Sequence, residues 1–150
     1  MTKRKIRGIP VPKKSKGKKT RQVREISPNE LRGEIEKLVD NGFDHLKSLT
    51  GVDRPENDQI ELIYHLSSYS NSDLQRVIIE IRVRIDKDNP RIESISDIWP
   101  SSKYIEAETR DLLGVTFEGN KIRSPLILPE ELEDEHPLRK DFKIPEEGIR

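Results

Sequence analysis

The sequence predicts an α+β fold: a small antiparallel sheet covered by helices, with a basic N-terminal arm and a long extended C-terminal tail. Three observations lead there. Residues 74–86 (LQRVIIEIRVRID) alternate apolar and charged side chains with the period of a strand, and IELIYHL at 60–66 does the same one short turn earlier. Residues 28–40 carry apolar side chains at helical spacing behind a specific start signal. Pro125, Pro129, Pro137 and Pro145 then punctuate the C-terminal segment, where regular structure is not expected to persist.

Each element has a local cause. Ser27 can cap the first helix, Pro28 suits its first position, and Glu30 completes a capping box. Leu31, Ile35, Leu38 and Val39 share one face, and Asn41-Gly42 is the stop. Phe43 to Thr50 reads as a short connecting segment, followed by Gly51 and a polar loop containing Pro55. Ile60, Leu62, Tyr64 and Leu66 then point one way from a strand. In the next strand Val77, Ile79, Ile81, Val83 and Ile85 oppose Glu80, Arg82 and Arg84. The polar connection between these runs makes them an antiparallel hairpin, and its apolar face needs helices to cover it.

Asp88-Asn89-Pro90 breaks the strand, and Ile92, Ile95, Ile98 and Trp99 form a local apolar cluster ended by Pro100. A second helix fits residues 102–113, stopped by Gly114, and Val115-Thr116-Phe117 suits a short strand. The predicted organisation is an arm over 1–26, a body over 27–118 and a docking tail over 119–150.

Composition bounds the function. The 150 residues suffice for one domain, with 31% hydrophobic and 37% charged residues, so the core is thin and the surface heavily charged. The prominence of Lys, Glu and Ile hints at a thermophilic source. A net charge of zero conceals an asymmetry: residues 1–25 hold eleven Lys or Arg against Glu25, giving +10, and the rest carries −10. The arm reads as a solvated leader, a strap for an acidic partner, or a contact for anionic lipid headgroups. Nucleic acid is a poorer fit, since the arm has no aromatic residue to stack on bases and the body repels phosphates.

The chain has no cysteine, which excludes disulfides, zinc–thiolate sites and cysteine-bound iron–sulfur clusters within it. No apolar run approaches the ~20 residues of a membrane-spanning helix, and the basic N-terminus lacks the apolar core of a secretory signal. A soluble intracellular polypeptide is the expectation.

Glu106, Glu108 and Asp111 are a cluster of acids on the second predicted helix; 108 and 111 share a face and 106 points elsewhere. With no histidine near in sequence to complete an acid/base or metal cluster, Glu108 and Asp111 are read as pairing with Arg or Lys across a subunit boundary. His45, His65 and His136 lack ligand spacing and are read as ordinary hydrogen-bonding histidines. No G-x-S-x-G elbow or base linked to a serine is evident. In the tail, Leu126, Ile127 and Leu128 form an apolar triplet between prolines, followed by the acidic run EELEDE at 130–135. Pro137 disfavours helical geometry at His136, so the segment is expected extended, with Leu138 and Phe142 as apolar anchors on one side. Arg139 and Lys140 are then charge partners for a neighbour, with Asp141 on the Arg139 side.

The ordered set SISDIWPSSKYIEAETRDLLGVTFEGN, LILPEEL and HPLRKDF resembles the C subunit of respiratory complex I and its equivalents in energy-converting membrane-bound NiFe-hydrogenases and related ferredoxin- or deazaflavin-linked complexes. The match covers about Phe43 to Phe142. Glu106 and Glu108 fit the family's Glu-x-Glu helix pattern, and Asp111, Gly114 and Phe117-Glu118-Gly119 are kept. His136-Pro137-Leu138-Arg139-Lys140-Asp141-Phe142 matches the tail signature with Phe where Tyr is common. Ala107 stands where complex I members usually carry Arg, and Asn120 where they usually carry His, which tilts the resemblance toward the hydrogenase-like members.

The resemblance implies a non-catalytic hydrophilic-arm subunit of a membrane-bound oxidoreductase, peripheral on the cytoplasmic face. It implies packing against the large NiFe-hydrogenase-like, quinone-module subunit through Glu106, Glu108, Asp111, His136, Leu138, Arg139, Lys140, Asp141 and Phe142. Iron–sulfur subunits would be further partners and the membrane arm an indirect one. No cofactor is expected in this chain; the iron–sulfur clusters and any NiFe site would lie in partner subunits. Two rivals remain from the residues alone: a stand-alone nucleic-acid-binding protein acting through the basic arm, and a small enzyme using Glu108 and Asp111.

Overall fold

A computed structural model describes residues 19–144 and Glu146. A four-stranded sheet is built from β1 (Thr20–Ile26), β2 (His45–Arg54), β3 (Gln59–Ser67) and β4 (Val77–Asp86), in the order β1-β4-β3-β2. Two helices, α1 (Leu31–Asp40) and α2 (Ser102–Leu113), lie on one face of it, and β5 (Arg91–Glu93) pairs in parallel with β6 (Thr116–Glu118) beside them.

The hairpin of β3 and β4 is antiparallel as its alternation predicts, with Leu62 opposite Val83 and Tyr64 opposite Ile81. The sheet as a whole is mixed, however, because β1 runs parallel to β4. This corrects two expectations together: the sheet is not purely antiparallel, and residues 20–26 belong to the body rather than to an arm. The alternation of TRQVREI is masked by a buried cation. Arg24 faces inward and pairs with Glu34 of α1, so an apparently polar run is a strand whose inner position is filled by an ion pair. Expectations for residues 1–18 lie outside the described residues.

β2 is the second correction, replacing the expected connecting segment and loop. Its register shifts between Leu46 and Ser48, so the inward residues Leu46 and Leu49 stand three apart and the period of two is broken. Gly51 is not a loop glycine but a mid-strand one. A Cβ there would lie 2.2 Å from Cδ1 of Leu113, so its absence lets α2 settle against β2.

The core follows from these placements. Leu31, Ile35 and Leu38 of α1 are buried against the inward residues of β3 and β4. Each such side chain contributes on the order of 1.5–3 kcal/mol. The α1 start is as predicted: Pro28–Glu30 forms a 3₁₀ turn, and the Glu30 carboxylate accepts the Ser27 amide (3.0 Å) and hydroxyl (2.8 Å). Arg32 of α1 reaches Glu93 (2.5 Å) and both carboxylate oxygens of Asp97 (2.8 and 3.0 Å), tying the helix to the turn that precedes α2. The α2 span and its Gly114 stop are as predicted; Gly114 takes φ +76°.

Candidate docking site at the end of the second helix

The C-terminal carbonyls of a helix lack partners within it and need donors from elsewhere. In α2 three of the last four accept an N–H, and a ring nitrogen of His136 lies against the fourth. Gly114 N–H closes on Arg110 O (2.7 Å), and the other three partners come from the tail. His136 Nδ1 lies 3.4 Å from Asp111 O, Leu138 N–H donates to Leu112 O (3.0 Å), and Arg139 Nε donates to Leu113 O (2.8 Å). The His136 ring sits so close over Gly114 that a Cβ there would lie 2.6 Å from Nε2. Gly114 is therefore required twice, for its left-handed backbone and for the ring above it.

Side chains of α2 grip the tail before it reaches that point. Asp111 Oδ2 accepts the amides of Leu126 (2.7 Å) and Ile127 (3.0 Å). Arg110 braces Asp111 Oδ1 (2.8 Å) and donates to the carbonyls of Ile122 (2.5 Å) and Ser124 (2.7 Å). Farther on, Asp53 of β2 accepts the Lys140 amide (2.8 Å) and the Lys87 ammonium (2.9 Å), and Lys87 also faces Asp141 at 3.7 Å. Burial alone would raise the Asp111 carboxyl, but the Ile127 amide, Arg110 and the Leu126 amide hold it below the usual carboxylate range. Asp53 is shifted down in the same way, its burial outweighed by the Lys140 amide and Lys87.

Glu106, one and a half turns earlier, behaves differently. It is fully buried, accepting Ser94 Oγ–H (2.6 Å), the Ile95 amide (2.8 Å) and Asn120 Nδ2–H (2.8 Å). Burial pushes its carboxyl up despite these three donors. It forms the floor of a cleft of about 230 Å³ lined also by Arg110, Phe117 and Arg123, but its acceptors are already spent within the chain.

Comparison with known proteins gives the family. The family described as "Respiratory-chain NADH dehydrogenase, 30 Kd subunit" matches residues 24–148. The chain belongs to this family. It is 38% identical to the C subunit of the F(420)H(2) dehydrogenase of Methanosarcina mazei over 67% of this chain and 61% of that one. It is 37% identical to the C subunit of the NADH-quinone oxidoreductase of Moorella thermoacetica, over 71% of this chain and 69% of that one. Among solved structures it resembles a chain of the membrane-bound sulfane sulfur reductase, an archaeal respiratory membrane complex. The TM-score there is 0.76 at 28% identity, covering 87% of this chain and 76% of that one. The match thus spans about three fifths of the Methanosarcina protein's length.

Within this family member, the residues singled out from sequence divide into two groups. Glu106, Asp111, His136 and Arg139 are turned onto the chain itself, and the Lys140 amide and the Asp141 carboxylate join them. Glu108 and Leu138 face outward, while Phe142 is half-buried. Glu108 and Asp111, expected on one face, are separated: the tail packs over Asp111 and leaves Glu108 in solvent. The extended conformation expected across 136–142 is replaced by two tight turns, Arg139 N–H to His136 O (3.0 Å) and Phe142 N–H to Arg139 O (3.2 Å). Pro137 suits the second position of the first turn, and the turn is what brings Leu138 and Arg139 to the helix end.

Sequence reasoning missed Asp53, Lys87 and Arg110. Asp53 was legible as an acid at an inward strand position, had β2 been recognised. It also missed a base linked to a serine: His65 Nδ1 lies 2.8 Å from Ser48 Oγ, and its Nε2 lies 3.1 Å from Glu80 Oε2. Among the described residues this string stands on a sheet face, where the ladder amides run in the sheet plane and are not aimed at a carbonyl held over Ser48. Among the described residues no group of His, Asp and Glu is placed to hold a metal ion, and no helix is long and apolar enough to cross a membrane.

Proposed function

We propose that this chain is a non-catalytic subunit that docks on the large subunit of a membrane-bound oxidoreductase and stabilises its assembly. One observation carries the reading. The tail backbone is pinned to α2 and β2 at Leu126, Ile127, Leu138 and Lys140, yet Leu126, Ile127 and Leu138 remain 42%, 49% and 52% exposed. Apolar side chains held outward on a fixed backbone form a surface ready for a partner, because the entropy of ordering the tail is already spent within the chain. The acids of 130–135 on one side and Lys140 on the other supply a charged rim.

On this reading Glu106, Asp111, His136 and Arg139 serve docking indirectly, by shaping the tail, while Leu138, Lys140 and Phe142 make contact. Glu108, exposed on α2, offers a carboxylate to the same or a neighbouring subunit. The redox groups, iron–sulfur clusters and any NiFe centre, would lie in partner subunits, and this chain would sit peripherally on the cytoplasmic side. The test is co-purification of the complex through a tag on this chain. Ile127→Asp with Leu138→Asp should leave the melting temperature unchanged while reducing recovery of the large subunit about tenfold or more, as loss of central apolar contacts does. Undiminished recovery from the folded variant would overturn the proposal.

A further inference from the structure

Both helices pack on one face of the sheet, and among the described residues the opposite face carries no covering layer. Two carboxylates on it are nevertheless withdrawn from water: Glu61 is 1% and Glu80 2% exposed. Arginines from the same and neighbouring strands cover them. Arg54 donates to Glu61 Oε2 from Nε (3.1 Å) and Nη2 (2.8 Å). Arg82 Nε donates to Glu80 Oε1 (2.6 Å), while Arg21 Nε lies 2.8 Å from Glu80 Oε2. Arg84 stands off at 3.7 Å from Glu61 Oε1, an oxygen buried without a hydrogen-bond partner. The face thus buries two of its carboxylates, leaves Glu25 and Asp86 exposed at its margins, and displays guanidinium: Arg21, Arg54 and Arg84 keep about half their side-chain surface in solvent.

Between the arginines it carries aliphatic side chains together with the polar Ser48, Thr50, Gln59 and His65. Val23 stands half-exposed beside Arg21, and Ile63 and Ile78 lie partly buried in the same layer. The ladder positions of this face hold no Lys, Phe, Tyr or Trp; Lys19 and Lys47 stand only at its end, near Ile78. Arginine in excess of lysine is one mark of a protein–protein interface. A nucleic acid would want base-stacking aromatics and an unbroken cationic track, whereas Glu25 projects from the same face.

We propose that this open face is a second docking surface, separate from the tail, that receives an acidic and partly apolar protein surface. The exposed guanidinium edges would take its carboxylates in bidentate pairs, and Val23 would be its apolar contact. A covering layer would also press Arg84 toward the unpartnered oxygen of Glu61. This inference does not depend on what the tail engages.

The experiment places p-benzoylphenylalanine at position 23 of the full chain in its native membranes, irradiates the solubilised complex, and maps the adduct by mass spectrometry. The expected product joins one defined protein segment in which Asp and Glu outnumber Lys and Arg. Its yield should fall about tenfold in the R21Q/R84Q variant, the loss of two interfacial charge pairs, and fall likewise on raising salt. That variant leaves the Arg54–Glu61 and Arg82–Glu80 hydrogen bonds in place, so the fold is kept; an unchanged melting temperature verifies this. The same probe at position 127 reports the tail contact independently and should be indifferent to R21Q/R84Q. No protein adduct at position 23, an adduct to lipid or nucleic acid, a net basic target segment, or a yield unmoved by R21Q/R84Q would each overturn the proposal.

Discussion

The layer between sheet and helices and the tail that descends α2 are held by opposite means. The layer is apolar: Ile60, Leu62, Tyr64, Leu66, Ile79, Ile81 and Val83 meet Leu31, Ile35, Leu38 and Leu113 with no exposure beyond 1%. The tail buries little, and is held by polar groups that the body supplies at fixed points: Arg110, Asp111, the α2 carbonyls and Asp53. Apolar burial is collective and tolerant of where each contact lies. Hydrogen bonds from single acceptors are few and local, so the tail can be loosened without unfolding the layer, while the reverse is not possible.

The largest effect tests that asymmetry from the side of the layer. Leu113→Ala removes a fully buried side chain that packs on Gly51 at the point where α2 meets β2. A loss of about 2–5 kcal/mol in global stability is expected, read by denaturant unfolding at constant m. Layer and tail should be lost in a single transition, because the tail has nothing to hold once α2 shifts.

Asp111→Ala approaches from the other side. It orphans two tail amides and removes the carboxylate that braces Arg110, costing about 1–3 kcal/mol, most of it local. Hydrogen exchange at Leu126 and Ile127 should accelerate by about tenfold or more, with Ile79 and Ile81 in the sheet unaffected. If the sheet amides accelerate equally, the two regions are one cooperative unit and the comparison is wrong.

Acid should separate the regions without mutation. Asp111 and Asp53 have folded-state values below their unfolded ones, so their stabilisation is complete above the unfolded value of about 3.9. It is lost as pH falls through the lower folded value. Glu106 has the opposite sign: its raised value means that protonation favours the folded state, an advantage complete below the unfolded value of about 4.3 and lost as pH rises through the folded one. Below about pH 4, protection should therefore fail first at Leu126, Ile127 and Lys140, while Ile95, bonded to Glu106, outlasts them. Glu106→Gln should remove that part of the pH dependence.

The same division explains what the sequence could show. β3, β4, both helices and the α2 stop were legible because periodicity and capping are properties of a segment alone. β1 and β2 were not: Arg24 disguises one as polar by pairing with Glu34 on another element, and the bulge before Ser48 breaks the period of the other. In the tail, the motif from His136 to Phe142 was visible but its conformation was not. Pro137 speaks only for its own neighbourhood, and the carbonyls that bend the chain belong to α2. Of the residues that receive the tail, Asp53 is marked only as an acid at an inward position of the unrecognised β2, and Lys87 and Arg110 carry no mark, because what each holds lies outside its own element.

The smallest effect on the isolated chain is expected at Leu138, which makes it the sharpest probe of what the tail is for. Its amide is fixed to Leu112 O, but its side chain is 52% exposed. Leu138→Ser keeps the amide and removes apolar surface that water already reaches, so stability should change by no more than about 0.5 kcal/mol. Exchange at the Leu138 and Lys140 amides should likewise be unaltered. Any defect in the assembled complex then belongs to the contact and not to the fold of the tail. Recovery of the large subunit through a tagged L138S chain should fall severalfold at matched expression. A stability loss above about 1 kcal/mol would instead mean that Leu138 is part of the body's own packing, and that the tail ends where the chain's internal order ends.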